Sequence, residues 1–515
     1  MTETQQISTT RPAFAVAAQL QKSTASWLLT AVVTLLAMVT LRFWIAGHLD
    51  FETDEAYYWL WSRRLATSYY DHPPIVAYLI RLGTSLFGDT VAGVRSMAIL
   101  AIIATSALLY MLAVILFGER RLGLMSVLWF NVTPHAGFFS VIMFPDTPAI
   151  LFWVLTCVAA ALVWRSRDGR WWYLLGIAAG LLLLSKYTGV FLLFGIVAWL
   201  FASAEMRIWL RRREPYLAAL ITLILFSPVI LWNAEHNWVS FIKQFGRAFE
   251  TSAADSGLAN MGAFIGVQAA FVSPLIFAFI VAGLGVAAWR GLRRQEANWL
   301  LLALTAAPML LYFFAHAFSA EVLTQWPSAA YPTGIVAAVA AFAAPASGLD
   351  RRRPFTRYCV EAARWVGLVF TLTLFAQMTV RPVSILAMHD PLSRFFGWSE
   401  LSLKTRAALE AHHAGYIATN EHSIGATLAF YLRGTTVFQT SERIRYEFMP
   451  PIDQALLNRT TGIYLAVPPF DDLAQVQVHF DSVEYISTIW RSRDGDPIEP
   501  YRIYVLKGYR GGLPF

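Results

Sequence analysis

Residues 27–55 read WLLTAVVTLLAMVTLRFWIAGHLDFETDE, a long apolar run that ends in a cluster of acidic side chains. About 20 apolar residues suffice for a helix to span the hydrocarbon core of a bilayer. Further blocks of this kind follow, and of 515 residues 57% are hydrophobic and only 14% are charged. Because soluble proteins carry about a quarter charged residues, this composition excludes a soluble globular protein and predicts an integral membrane protein.

Arginine clusters between the apolar blocks predict cytoplasmic loops, because short loops rich in Lys and Arg stay inside. The intervening loops hold acids, His, aromatics and Pro instead. With residues 1–26 as a cytoplasmic tail, alternation predicts about 11 spans within a transmembrane domain of residues 27–380, whose first external loop is 47–90. The predicted spans are 27–46, 91–116, 122–141, 147–164, 172–185, 189–204, 215–233, 262–289, 299–317, 327–347 and 360–380.

Residues 381–515 have a different composition, with 13 basic and 14 acidic side chains and no long apolar run. Short alternating segments at 415–419, 436–439, 462–467 and 502–506 predict strands. The sequence therefore predicts a small C-terminal α/β domain. The odd number of spans places this domain outside the cytoplasm, which is the periplasm in a bacterium.

Several classes of function are disfavoured. The chain carries 40 Lys and Arg against 33 Asp and Glu, but the excess lies in the first 380 residues, where topology explains it better than nucleic acid does. Cys157 and Cys359 form no disulfide framework or CxxC metal motif. The absence of an internal repeat or an inverted pair of broken helices weakens a transporter interpretation.

The first external loop places four acids, Asp50, Glu52, Asp54 and Glu55, directly after the first span. Acids so close to hydrocarbon line a cavity, bind a cation or exchange protons. The alternative is a solvated helix cap, in which Thr53 or Asp54 begins a helix whose aromatic face lies in the interface.

Two isolated basic side chains lie at the external boundary. His72 precedes a Pro-Pro pair that fixes the backbone, and Lys186 interrupts a long apolar stretch at 185–189. Together they are candidates to neutralise an anionic lipid-linked phosphate. The alternatives are an interfacial His72 and a snorkelling Lys186.

Further external candidates accompany them. Asp146 lies between two prolines at the start of a span, where it serves as a helix N-cap alone or also binds a metal or an acceptor. Glu235 and His236 occupy a polar and aromatic loop, and either take part in acceptor or metal binding or belong to an interfacial helix. Another external cluster consists of His316, Glu321, Gln325 and Trp326.

Five motifs, in this order between the predicted spans, resemble the family 39 and 83 glycosyltransferases. They are Asp54-Glu55-Ala-Tyr-Tyr, Asp71-His-Pro-Pro, Pro145-Asp146-Thr-Pro, Ser185-Lys186-Tyr-Thr-Gly and Leu231-Trp-Asn-Ala-Glu-His. These families have the GT-C fold and include the protein O-mannosyltransferases and the lipid A aminoarabinose transferase. The resemblance covers about residues 27–380.

The resemblance implies a sugar donor on a polyprenyl or dolichyl phosphate, and transfer with inversion to a hydroxyl or phosphate outside the membrane. It makes Asp54 the acid that deprotonates or orients the acceptor, with Glu55 in support. Asp146 becomes the second acid, for the acceptor or for a divalent cation shared with Asp54. Lys186 matches a basic residue near the donor phosphate, whereas His72 stands where the aminoarabinose transferase has lysine.

The same resemblance puts Tyr57, Glu235 and His236 on the acceptor side. We expect a bacterial inner-membrane enzyme that uses membrane lipids as partners and a glycolipid such as lipopolysaccharide as acceptor, with no nucleic acid partner. One alternative is protein O-glycosylation. Another is a lipid flippase or transporter that uses the first-loop acids as a proton or cation site. A binding module on a membrane anchor would need far fewer spans.

Overall fold

The computed structural model describes residues 29, 32–247, 257–343, 354–383, 387–468 and 473–512. The predicted cytoplasmic tail, 1–26, lies outside these ranges. The first helices are α1 (Val32–His48), α2 (Thr53–Arg63), α3 (Ile75–Phe87), α4 (Val91–Phe117), α5 (Arg120–Asn131), α6 (Pro134–Val141), α7 (Asp146–Ser166) and α8 (Arg170–Leu183). They are followed by α9 (Val190–Ala202), α10 (Glu214–Glu235), α11 (Val239–Gly246), α12 (Gly257–Val272), α13 (Pro274–Arg293), α14 (Ala297–His316), α15 (Tyr331–Ala343) and α16 (Pro354–Thr379).

The chain is an integral membrane protein built on a helical bundle, in which α4 packs on α7, α8 on α10, α9 on α14 and α13 on α15. Among the described residues, six helices are long and apolar enough to cross a membrane, or seven if α1 and α2, bent by 83°, count as one broken span. Five apolar helices are shorter. The predicted count of about 11 is therefore higher than the number of full-length spans.

Two predicted spans are in fact pairs of helices. The segment 122–141 divides into α5 and α6 at Thr133, whose side chain caps α6 ahead of Pro134. The segment 262–289 divides into α12 and α13 at Ser273, which has φ 83° and is followed by Pro274. In both places proline begins the second helix, because it lacks the N–H that would continue the first. A hydropathy pattern does not reveal such breaks.

The C-terminal region forms a mixed sheet flanked by α17 (Trp398–Ala411), α18 (His422–Tyr431), α19 (Gln454–Arg459) and α20 (Leu473–Gln477). The strands are β1 (Ala414–Thr419), β2 (Thr436–Gln439), β3 (Thr461–Ala466), β4 (Phe480–Arg493) and β5 (Asp496–Tyr509), in the order β2-β1-β3-β5-β4. The four predicted strands overlap β1, β2, β3 and β5, and only β4 has no predicted counterpart. β1 pairs in parallel with β2 and β3.

The C-terminal domain rests on α2, the helix that carries the first-loop acids. α18 packs against α2, and the ring of Phe430 contacts those of Phe51 and Trp59 at centroid distances of 4.4 and 5.0 Å. The Asp50 carboxylate accepts hydrogen bonds from the Tyr431 hydroxyl at 3.0 Å and the Trp398 backbone N–H at 2.9 Å. An acid of the first loop is thus a docking residue between the two domains.

Candidate active site

A cavity of about 510 Å³ lies between α2, the ends of several membrane helices and the C-terminal domain. One part of its wall is polar, and the other is aromatic and aliphatic. The polar part contains Asp54, Asp71, His72, Asp146, Lys186, Gln244, Arg247, His316, Gln325, His422 and Arg445. Several side chains from the sequence motifs therefore line a single space.

Asp54 reaches this cavity because Glu52 begins α2. The Glu52 side chain accepts the Asp54 backbone N–H at 2.8 Å and forms a capping box with Glu55. The helix begins at Thr53, as the alternative predicted, but its cap residue is Glu52, which is buried rather than solvated, and this leaves the Asp54 carboxylate available to the cavity. It lies 3.5 Å from Arg394 and 3.8 Å from His422, both of the C-terminal region.

Glu55 points away from the cavity. Its carboxylate is fully buried, pairs with Arg95 at 2.6 Å and accepts the Met143 backbone N–H at 2.9 Å. The same arginine donates to the backbone carbonyls of Ala46 and Leu49. Glu55 thus joins the end of α1 to α4 and to the segment before α7, and its predicted catalytic support is replaced by a structural role.

The second motif contributes a charge network. Asp71 pairs with Lys243 of α11 and, at 2.5 Å, with Arg445 of the C-terminal domain. Burial acts to raise the pKa of Asp71, but the two cations outweigh it and lower that pKa. His72 is enclosed beside this network, and burial lowers its pKa to about 3. The ring is therefore neutral near pH 7, whereas the predicted neutralisation of a lipid-linked phosphate by His72 needs a positive charge.

Asp146 and Lys186 form a buried ion pair, with Nζ 2.6 Å from Oδ1. Asp146 is the first residue of α7, follows Pro145 at the N-cap position and makes no cap hydrogen bond, so the predicted N-cap is wrong. Lys186 follows α8 at the break before α9 and is buried rather than snorkelling. Asp54 and Asp146 each contact protein cations, and a divalent cation between these two carboxylates stays a prediction.

Arg247 is a further cation in the cavity wall, at the end of α11. Within the described ranges it makes no hydrogen bond or ion pair, whereas Lys186 and Arg445 are both paired with carboxylates. The sequence analysis overlooked it, because one arginine at the end of an amphipathic segment does not stand out. Its guanidinium therefore adds to the cavity a positive charge that no carboxylate of the described residues pairs with.

The apolar part of the wall leads to the outer surface of the bundle. It is formed by Val190, Phe191 and Phe194 of α9 together with Phe313 of α14 and Leu323. Phe194 is 63% exposed, although it lines the cavity, and an exposed phenylalanine on a membrane helix contacts lipid. The cavity therefore connects a charged interior with the bilayer.

Other predicted residues divide between the cavity and the surface. Tyr57 lines the cavity and donates its hydroxyl to the Arg445 carbonyl at 2.7 Å. His316, Gln325 and Trp326 line it as well, but Glu321 does not. Glu235 is exposed at the end of α10, and His236 stacks on Trp232 with centroids 4.0 Å apart. The structure does not bring Glu235 and His236 into the site.

The C-terminal domain contributes two cavity residues that sequence reasoning missed. His422 follows β1, where Glu421 caps α18, and Arg445 follows β2. Both strands were predicted, and the carboxyl ends of parallel strands meet at one edge of a sheet. The polar residues that follow each of these strands were therefore the signal in the sequence that could have indicated His422 and Arg445.

Comparisons with known proteins agree with this architecture. The family model for dolichyl-phosphate-mannose-protein mannosyltransferase matches residues 71–232. The lipid A galacturonosyltransferase of Rhizobium johnstonii is 25% identical over 78% of this chain and 81% of its own length. The undecaprenyl phosphate-alpha-4-amino-4-deoxy-L-arabinose arabinosyl transferase of Pseudomonas aeruginosa is 30% identical over 30% of this chain and 28% of its own.

A solved structure extends the similarity to the whole fold. The crystal structure of ArnT from Cupriavidus metallidurans bound to undecaprenyl phosphate superposes with a TM-score of 0.64 at 15% identity. The superposition covers 93% of this chain and 98% of the other.

Proposed function

We propose that this chain, which is a membrane glycosyltransferase with the GT-C fold, transfers a sugar from a polyprenyl phosphate to a glycolipid of the lipid A type. The observation that carries the proposal is the cavity, which joins the carboxylate of Asp54 and several cations to an aromatic wall open to lipid. Such a space suits a substrate with a charged head and a long hydrocarbon chain.

The donor in this proposal is a sugar on undecaprenyl phosphate, as in the names of two of the similar proteins. Its chain lies against the exposed face of α9 near Phe194, and its phosphate lies between Arg247 and Lys186. His72 is neutral there and contributes a hydrogen bond instead of a charge. Cationic side chains stabilise the phosphate most strongly as it becomes the leaving group.

The reaction is a single displacement. An acceptor oxygen attacks the anomeric carbon, the bond from that carbon to the phosphate oxygen breaks, and its electron pair leaves with the polyprenyl phosphate. Attack opposite the leaving group inverts the configuration. When the acceptor is a hydroxyl, Asp54 accepts its hydrogen bond and takes its proton.

The acceptor in this proposal is a glycolipid that also resides in the bilayer. A lipid A galacturonosyltransferase is similar over most of this chain, and an acceptor held in the membrane reaches the cavity along the same boundary as the donor. In a bacterium the active site and the C-terminal domain then face the periplasm, because the arginine-rich loops lie on the other side.

The experiment is mass spectrometry of envelope glycolipids and secreted proteins from cells that express the wild type, Asp54→Asn or the matched variant Asp50→Asn, with protein level checked. We expect Asp54→Asn to lose one sugar from a glycolipid, while Asp50→Asn, which touches only the domain contact, retains transfer. The lost mass identifies both sugar and acceptor.

Two other results would contradict the proposal. Loss of the sugar from a protein would favour the protein O-glycosylation alternative, with which the matched family model agrees. Unchanged glycans in a correctly inserted Asp54→Asn variant would instead favour the transport alternative, in which the first-loop acids form a proton or cation site.

A further inference from the structure

His422 of the C-terminal domain contacts the carboxylate that acts on the acceptor in the proposed reaction. Its Nε2 atom lies 3.8 Å from Oδ1 of Asp54. Its Nδ1 atom lies 2.7 Å from Glu442 and 3.1 Å from Glu421. The imidazole therefore bridges an acid of the membrane domain and two acids of the C-terminal domain.

The sheet topology produces this bridge. Glu421 follows β1 and accepts the backbone N–H groups of Ser423 and Ile424, so α18 begins at His422. Glu442 follows β2, which pairs in parallel with β1 through Thr419 and Gln439 at their ends. Both acids therefore flank His422 at the carboxyl edge of the sheet, and the docking of α18 on α2 turns this edge towards the cavity.

The charged and titratable groups around His422 belong to three elements. They are Asp54 and Tyr57 of α2, Glu421 at the start of α18, and Glu442 and Arg445 of the segment after β2. Burial opposes a charge on His422, but the surrounding carboxylates outweigh it and raise its pKa to about 9. An imidazolium thus faces Asp54 at neutral pH.

Arg394 contacts the same acid from the linker between the domains. Its Nη2 atom lies 3.5 Å from Asp54 and 2.5 Å from Glu52. Burial acts to raise the pKa of Asp54, but His422 and Arg394 outweigh it and lower that pKa. Both cations that contact Asp54 therefore come from outside the transmembrane bundle.

We propose that the C-terminal domain is part of the active site, in which His422, assisted by Arg394, is a positioning residue that holds the Asp54 carboxylate ionised and oriented towards the acceptor. This inference rests on the proposed function, because it needs Asp54 to act on the acceptor. It gives the C-terminal domain a role in positioning Asp54, in addition to forming part of the cavity wall. The same contacts would otherwise serve only to dock the domain.

The test compares His422→Gln, which removes the charge, with His422→Lys, which keeps one. The control is Tyr431→Phe on the same helix, which removes the docking hydrogen bond to Asp50 but leaves Asp54 untouched. The initial rate of glycolipid modification is measured by mass spectrometry in induced cells held between about pH 5.5 and pH 8.5. Binding of undecaprenyl phosphate to each purified full-length variant is measured separately.

We expect His422→Gln to lower the rate at least about tenfold and to move the acid limb of the rate profile up by about one pH unit, the effect of losing a charge at this distance. His422→Lys restores part of the rate, Tyr431→Phe keeps the wild-type profile, and undecaprenyl phosphate binds all three equally. If His422→Gln does not accumulate, Arg394→Gln serves instead, with the same expected shift.

Three results would overturn the inference while leaving the proposed function intact, provided that Asp54→Asn is inactive. One is a wild-type rate and profile in His422→Gln. Another is an equal loss of rate in Tyr431→Phe, which would reduce His422 to a docking contact. The third is loss of wild-type activity on chelation and recovery with Zn²⁺, which would make the Glu421, His422 and Glu442 group a metal site. A fully active Asp54→Asn would instead contradict the proposed function.

Discussion

The ammonium nitrogen of Lys186 lies 2.6 Å from the Asp146 carboxylate, and neither side chain is more than 9% exposed. This pair joins the break between α8 and α9 to the start of α7, so two of the sequence motifs meet in one buried contact. Such a contact has a structural part, which is the mutual neutralisation of two charges. Its functional part is the Lys186 ammonium group, which the pair holds in the cavity wall.

Substitutions in this ion pair distinguish its structural part from its functional part. We expect Lys186→Met to destabilise the protein by roughly 3 kcal/mol, because it leaves a buried carboxylate without a partner. The double variant Lys186→Met/Asp146→Asn recovers most of that stability but not glycolipid modification. Thermal unfolding in detergent and mass spectrometry of the envelope measure the two effects. Full activity in the double variant would show that donor binding does not need Lys186.

Arg247 is expected to contribute strongly to binding of the donor phosphate. Loss of a hydrogen bond to a charged group costs about 1.5–3 kcal/mol, so Arg247→Gln should raise the Kd for undecaprenyl phosphate roughly 10- to 100-fold. The matched control is Arg207→Gln, an exposed arginine beyond the other end of α9. Equal affinity in the two variants would contradict the placement of the phosphate.

Glu55 is expected to matter for folding more than for chemistry. Glu55→Gln leaves the Arg95 guanidinium buried with backbone carbonyls as its remaining partners, a loss of roughly 3–5 kcal/mol for a broken buried pair. We expect low levels of inserted protein, but near wild-type transfer per molecule that folds. Normal levels together with abolished transfer would restore the catalytic role that the sequence suggested.

The charge of His422 makes the domain contact sensitive to alkaline pH. The pKa of His422 is about 9 in the folded protein, above its ordinary value of 6.5. The folded state therefore binds more protons between these values, and the stabilisation is complete below pH 6.5 and is lost as the pH rises through 9. We expect protease cleavage between the domains to increase from pH 7 to pH 9.5.

His422→Gln is the reference for this measurement, because other groups also titrate above pH 9. Its cleavage rate should depend less on pH than that of the wild type. The same increase in both proteins would contradict the assignment of the effect to His422.

Much of the candidate site could be predicted from local patterns. The break at Lys186, the proline-flanked Asp146 and the acid Asp54 each lie within a few residues of a helix end, where topology alone puts them at the external boundary. Prediction failed where a side chain has a distant partner. Glu55 and Asp54 are adjacent in sequence, but the turn of α2 directs one towards Arg95 and the other towards the cavity.

Glu235 and His236 illustrate the opposite error. They belong to a motif of the resembled families and lie at the C-terminal end of α10. However, the Nδ1 atom of His236 donates to the Trp232 carbonyl of its own helix at 2.7 Å, and its ring stacks on that of Trp232 with centroids 4.0 Å apart. His236 is held by contacts within its own helix, so the location of Glu235 and His236 at the end of α10 does not bring them into the cavity.

The sequence by itself determined the membrane character and four of the five strands, because hydropathy and alternation act over neighbouring residues, and its charge asymmetry predicts an external side for the acids. Only the tertiary structure decided which charges meet. The contact between His422 and Asp54 joins positions 368 residues apart, and it depends on parallel strand pairing and on the docking of α18 on α2. Such long-range contacts arise from packing of whole elements, which no local pattern encodes.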